Sequence, residues 1–141
     1  MKKNTMELLE LLENVESSPQ LNHVINNYCE INISVKEYFH DMLQKKRLKK
    51  QDVVKKSGLY RSYAYQILSG IKQPSRDKMI ALCFGFGLDL KETQKAMTVS
   101  ELGTLYSRKR RDAIIIHAIN KKMDIDQLNL LLYDFGEKIL E

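Results

Sequence analysis

Residues 48–76, LKKQDVVKKSGLYRSYAYQILSGIKQPSR, hold two short apolar-periodic segments on either side of a glycine. Val53 and Val54 supply the inward positions of the first segment. Leu59, Ala64, Ile67 and Leu68 supply those of the second. Between them Gly58 can take the positive φ that a side chain resists. Gly70 and Pro74 close the second segment, because proline lacks the N–H that a helix interior needs and constrains Gln73 before it. Two such helices around a glycine turn make a helix-turn-helix. The outward face of the second helix then carries Arg61, Ser62, Tyr65 and Gln66, all able to hydrogen-bond.

Charge is concentrated on the same stretch. The formal net charge is only +5 over 141 residues, yet residues 35–76 hold eleven Lys and Arg against three acids, a net of +8. Residues 1–34 hold two Lys against five Glu, and residues 77–141 hold ten of each sign. The excess therefore sits on the helix-turn-helix and its flanks, where a polyanion docks.

The rest of the chain reads as helix. Residues 5–15 carry Met6, Leu8, Leu9, Leu11, Leu12 and Val15 opposite glutamates, and Ser17-Ser18-Pro19 breaks the run. A second helix follows to about Cys29, with Leu21, Val24, Ile25 and Tyr28 on one stripe. Ser34 with Glu37 reads as a capping box opening a helix lined by Tyr38, Phe39, Met42 and Leu43. Ser75 caps a helix to about Phe84, which Gly85 and Gly87 are expected to end, and Asp89 with Glu92 opens another to about Met97. After a looser segment, RRDAIIIHAINKK is helical, its β-branched run flanked by helix formers, and Asp124 caps a last helix that Gly136 stops. The expected class is all-α.

Several functions are disfavoured on the same residues. No apolar run approaches the ~20 residues of a membrane span, and Glu7, Glu10 and Glu13 interrupt anything like a signal peptide. Cys29 and Cys83 lack metal or redox spacing and read as reduced core thiols of a cytoplasmic protein. His23, His40 and His117 form no ligand set, and Gly85-Phe86-Gly87 lacks the strand and third glycine of a phosphate loop. No nucleophile–base or paired-carboxylate arrangement is present, so neither an enzyme nor a cofactor or metal is expected.

With these residues in hand, the segment GLYRSYAYQILSGIKQPSRDKMIALCFGFGLDLKETQ resembles the phage lambda repressor/Cro-like helix-turn-helix family, often labelled the XRE family. The resemblance covers residues 34–97 well and 105–140 loosely. It implies a lambda repressor-like five-helix DNA-binding domain over 34–98; outside that frame lie an acidic helical extension over 1–33 and a C-terminal helical region over 99–141, where Ile114, Leu130 and Tyr133 broaden the apolar stripes and make it the first choice for dimerisation. It further implies a sequence-specific transcriptional regulator of double-stranded DNA, more often a repressor, acting as a homodimer with helix 60–69 in the major groove. By that resemblance Arg61, Ser62 and Gln66 contact base edges, while Tyr65, on the same outward face, is expected at a thymine methyl or a phosphate. Lys50, Gln51, Lys72, Gln73, Ser75 and Arg76 contact phosphates, which positions the protein without reading sequence.

The sequence departs from the family at Lys49 and Tyr60, where small polar helix caps are usual. Tyr63 is expected to pack inward. The basic run Arg108–Arg111 is either a solvated helix start or a supplementary phosphate site. The acidic N-terminal helices are either a brace or a partner-binding arm. The rival reading is an antitoxin-like or adaptor protein-interaction module built on the same frame.

Overall fold

The computed structural model describes residues 4–29 and 33–141, and the contacts divide the chain into two compact units between residues 32 and 33. Among the described residues there are nine α-helices and no strand. No helix there is long and apolar enough to cross a membrane.

The first unit holds α1 (Thr5–Glu13) and α2 (Ser18–Tyr28), which pack against each other. Asn4 and Ser17 cap them, each side chain accepting an N–H of the first turn, with a proline opening α2. No residue of α1 is buried, and Met6, Leu9, Leu21 and Ile25 are exposed. Cys29 ends α2 and is exposed, so the expectation of a core thiol fails there. Cys83 meets it, and burial pushes that thiol up to about 12.

The second unit runs through α3 (Val35–Lys45), α4 (Lys50–Ser57), α5 (Arg61–Leu68), α6 (Arg76–Phe86), α7 (Leu90–Val99), α8 (Arg110–Asn120) and α9 (Ile125–Asp134). One hydrophobic cluster links all seven, from Tyr38 and Phe39 to Leu128, Leu132 and Leu140. The chain is not divided again at 98/99, so α8 and α9 share the core of the helices before them. Beyond its charged first turn helix α6 is apolar on all sides and lies enclosed, with Met79, Ile80, Leu82, Cys83 and Phe86 buried. Phe86 stacks on Phe39 with ring centroids 4.7 Å apart, and the Tyr38 hydroxyl donates to the Glu92 carbonyl at 2.7 Å.

Most helix starts follow the sequence signals. Ser34, Ser75, Asp89 and Asp124 each accept from a first-turn N–H, and Asp89–Glu92 and Asp124–Gln127 form full capping boxes. At Ser34 the box is half made, because Glu37 takes the Ser34 hydroxyl instead of its backbone N–H.

Gly85 does not end α6, as the sequence suggests; it lies inside the helix, and Gly87, at φ 65°, is the stop. The reason is the crossing with α4. A Cβ built on Gly85 meets the Val53 carbonyl oxygen at 2.5 Å and Ser57 at 3.1 Å. Glycine is there to let two backbones touch.

Two Arg-Asp dipeptides, one in the first turn of α6 and one in the first turn of α8, answer each other. Arg76 forks onto Asp112 at 3.1 and 2.8 Å, and Arg111 forks onto Asp77 at 2.9 Å on both arms. Asp112 is buried and also accepts the Tyr106 N–H at 2.9 Å, while Arg111 reaches the Lys138 carbonyl at 2.9 Å. Burial alone would raise both carboxyls, but the guanidinium bonds outweigh it and hold Asp77 and Asp112 below the usual carboxylate range.

A depressed carboxyl adds stability that is complete above its unfolded value, about 3.9, and is lost as pH falls through the folded one. The melting temperature should therefore hold from pH 7 to about 4 and fall steeply below it. Asp77→Asn combined with Asp112→Asn should flatten that acid limb; an unchanged limb would show that other groups govern it.

Candidate nucleic-acid interface

The pair α4–α5 supplies the site. Val53, Val54 and Ser57 of α4 and Ala64, Ile67 and Leu68 of α5 are buried. Gly58, left-handed at φ 72°, turns the chain between them, and its missing Cβ would stand 3.5 Å from Ile125 of α9. This inward registration leaves Arg61, Ser62 and Gln66 exposed on α5, with Tyr65 half-buried. The Arg61 guanidinium lies 5.6 Å from the centre of the Tyr65 ring one turn on, so cation–π attraction holds the two together.

Lys50 and Gln51, in the first turn of α4, are exposed, as are Lys72, Gln73 and Ser75 beyond α5. Ser75 accepts the Lys78 N–H while its cap stands at the surface. Arg76, expected to meet phosphate, has its guanidinium committed to Asp112 and, at 3.0 Å, to the Thr104 carbonyl. Its reach belongs to the α6–α8 junction. The basic run at the start of α8 is partly spent in the same way: Arg111 grips Asp77, and Arg110 donates to the Phe135 carbonyl at 2.7 Å. Lys46 pairs with Glu92 at 3.0 Å, which trims the excess charge further.

Tyr63 does more than pack inward. Its half-buried ring lies beneath two ammonium groups, Lys72 at 4.8 Å and Lys78 at 5.8 Å. Tyr63 thus positions Lys72, and Lys78 joins the basic patch. Neither role has a signal in the sequence, because the three residues meet only once the turn after α5 has folded.

The helix ends carry the clearest electrostatic asymmetry. Among the described helices, only α4, α5 and α8 lack a side-chain cap, with Lys49, Tyr60 and Lys109 at those positions. Asp52 and Asp112 place a carboxylate in the first turns of α4 and α8. Helix α5 has neither cap nor acid, and Arg61 adds a cation to its bare positive end.

No family profile, curated protein or solved structure matches the chain. Among the described residues no three His, Cys, Asp or Glu side chains gather around a point that a metal ion could occupy.

Proposed function

We propose that the chain is a sequence-specific double-stranded DNA-binding regulator of transcription, most simply a repressor that occludes a promoter. The observation that carries this reading is the bare N-terminus of α5. Its first turn has no side-chain cap, no acid and an exposed arginine, and an anion is the natural complement. Helix α5 enters the major groove, with Arg61, Ser62, Tyr65 and Gln66 meeting base edges. Arg61 suits guanine O6/N7 and Gln66 suits adenine N6/N7. Lys50, Gln51, Lys72, Gln73 and Ser75 meet phosphates, and the uncapped start of α4 faces the backbone as the first helix of such a pair does. Arg76 acts indirectly, by fixing the start of α6. This arrangement is that of a lambda repressor-like domain.

The reading includes a homodimer through α8 and α9. An apolar groove of about 470 Å³ lies there, lined by Ala113, Ile114, Leu131 and Phe135 with Arg110 and His117 on its rim. Elsewhere on α9 Leu130 is 62% and Tyr133 75% exposed. Two copies would place their α5 helices on half-sites about 34–36 Å apart. A second reading, the adaptor or antitoxin-like module, is favoured only by the exposed apolar residues of α1 and α2, with glutamates beside them to suit a basic partner.

Fluorescence-anisotropy titration on the DNA upstream of the gene and on scrambled DNA, at two salt concentrations, decides between them. The expected result is at least a ~100-fold preference for the first, with two chains bound per site. Arg61→Ala should relax discrimination at one base pair by about 1–3 kcal/mol. Lys72→Ala should weaken all sequences alike and reduce the log–log salt slope by about 0.9. Equal losses from both variants on both duplexes would remove α5 from the groove.

A further inference from the structure

Of the large apolar side chains exposed among the described residues, the two most exposed flank α5: Tyr60 at 87% and Ile71 at 79%. Each occupies a position where local structure asks for something else. Tyr60 is the N-cap of α5, and its phenol makes no capping bond where serine or aspartate would. Ile71 ends a Schellman turn, its N–H donating to the Gln66 carbonyl at 2.9 Å while that of Gly70 meets Ile67 at 3.1 Å. The residue at that place usually rests on an apolar partner three residues inside the helix end, and here that partner is Gln66. Both side chains therefore stand in water, and neither serves the fold.

Their surroundings name the occupant. Tyr60 precedes Arg61 and Ile71 precedes Lys72, so each apolar group sits beside an exposed cation of the same basic segment. A partner protein would have to bury both cations, whereas duplex DNA pairs them with phosphate and guanine and offers one apolar feature in its major groove, the thymine C5-methyl. Eight residues of helix span about 12 Å, or three to four base steps. We propose that Tyr60 and Ile71 read thymine methyl groups at the two ends of the stretch covered by α5, giving each half-site a thymine on either side of its central base pairs. The inference rests on the DNA-reading proposal above and names what that site selects.

The test removes the methyl and nothing else. The full chain first selects its preferred duplex from a random-sequence pool; deoxyuridine then replaces each thymine of that duplex in turn. At two positions at least three base pairs apart, uracil should weaken binding roughly fourfold, the worth of one buried methyl. Tyr60→Ser should become indifferent to uracil at one of them and Ile71→Ala at the other. Tyr60→Ser should at the same time melt higher than the parent, because it restores the missing cap, which separates reading from folding. Uracil tolerated everywhere, or both variants keeping full sensitivity, overturns the thymine assignment while DNA reading stands; contact with deoxyribose instead of the methyl gives this same result. A pool from which nothing is enriched overturns the DNA reading and this inference together.

Discussion

Gly85→Ala is expected to lower stability by about 2 kcal/mol, although alanine is the better helix former by ~1 kcal/mol. The two effects oppose each other, and geometry decides. The new Cβ would stand 2.5 Å from the Val53 carbonyl oxygen, and the atoms 3.1 Å away include the Ser57 backbone nitrogen. Backbone atoms cannot rotate aside as a lysine tip could, so α4 has to move away from α6. Overpacking of this kind costs about 1–3 kcal/mol, occasionally more, and two contacts with backbone place it at the upper end. For a unit of 109 residues (33–141) a net 2 kcal/mol corresponds to a fall in melting temperature of roughly 10 °C. Because α4 carries Lys50 and Gln51, its displacement should also weaken the DNA binding we propose. Gly87→Ala is the control: nothing lies within 4 Å of its Cβ, and only the left-handed backbone resists. A Gly85→Ala protein that melts higher than the parent would show that helix propensity wins and the crossing is loose.

The second large effect is expected at the paired Arg-Asp dipeptides. Arg76→Met leaves the Asp112 carboxylate, 4% exposed, with the Tyr106 N–H but no hydrogen-bonded guanidinium, only the more distant charges of Lys109 and Arg111. Stranding a buried charge costs about 3–5 kcal/mol; the Arg76 side chain is 32% exposed, so water offsets part of this and about 3 kcal/mol is the expectation. Arg76→Met together with Asp112→Leu should recover most of the loss, since an apolar pair of similar volume avoids both desolvation penalties. Arg111→Met should cost less, about 1–2 kcal/mol, because Asp77 is 21% exposed and water can replace the guanidinium. Urea unfolding of the single and double variants measures all three. If Arg76→Met fell within ~0.5 kcal/mol of the parent, Asp112 would have to be protonated or hydrated in the folded protein.

The helices were legible because their signals are local. Ser34, Ser75, Asp89 and Asp124 announce helix starts within four residues of chain, and the apolar stripes of α3, α8 and α9 repeat at helical spacing. Outward residues such as Arg61, Ser62 and Gln66 follow from that same periodicity. What escaped notice depends on partners far away in sequence. Gly85 resembles a helix stop until α4 is laid across it. Arg76 and Asp112 are 36 residues apart, and nothing in either dipeptide marks the other. The exposed end of α2 at Cys29 likewise reflects how little of the first unit is covered, a property of packing that the apolar stripe does not reveal.

The crossed dipeptides also bear on how such a chain can be inherited. A gene cut behind α7 would part Arg76 from Asp112 and Asp77 from Arg111, and would strip Leu128 and Leu132 from the core that α6 shares with them. Neither fragment keeps a complete interior, so α4 and α5 must travel with the last two helices as one cassette. A recombination joint falls without such damage between residues 32 and 33, where the contacts already divide. Shuffling at that joint exchanges whatever the acidic helices do while leaving the basic unit whole.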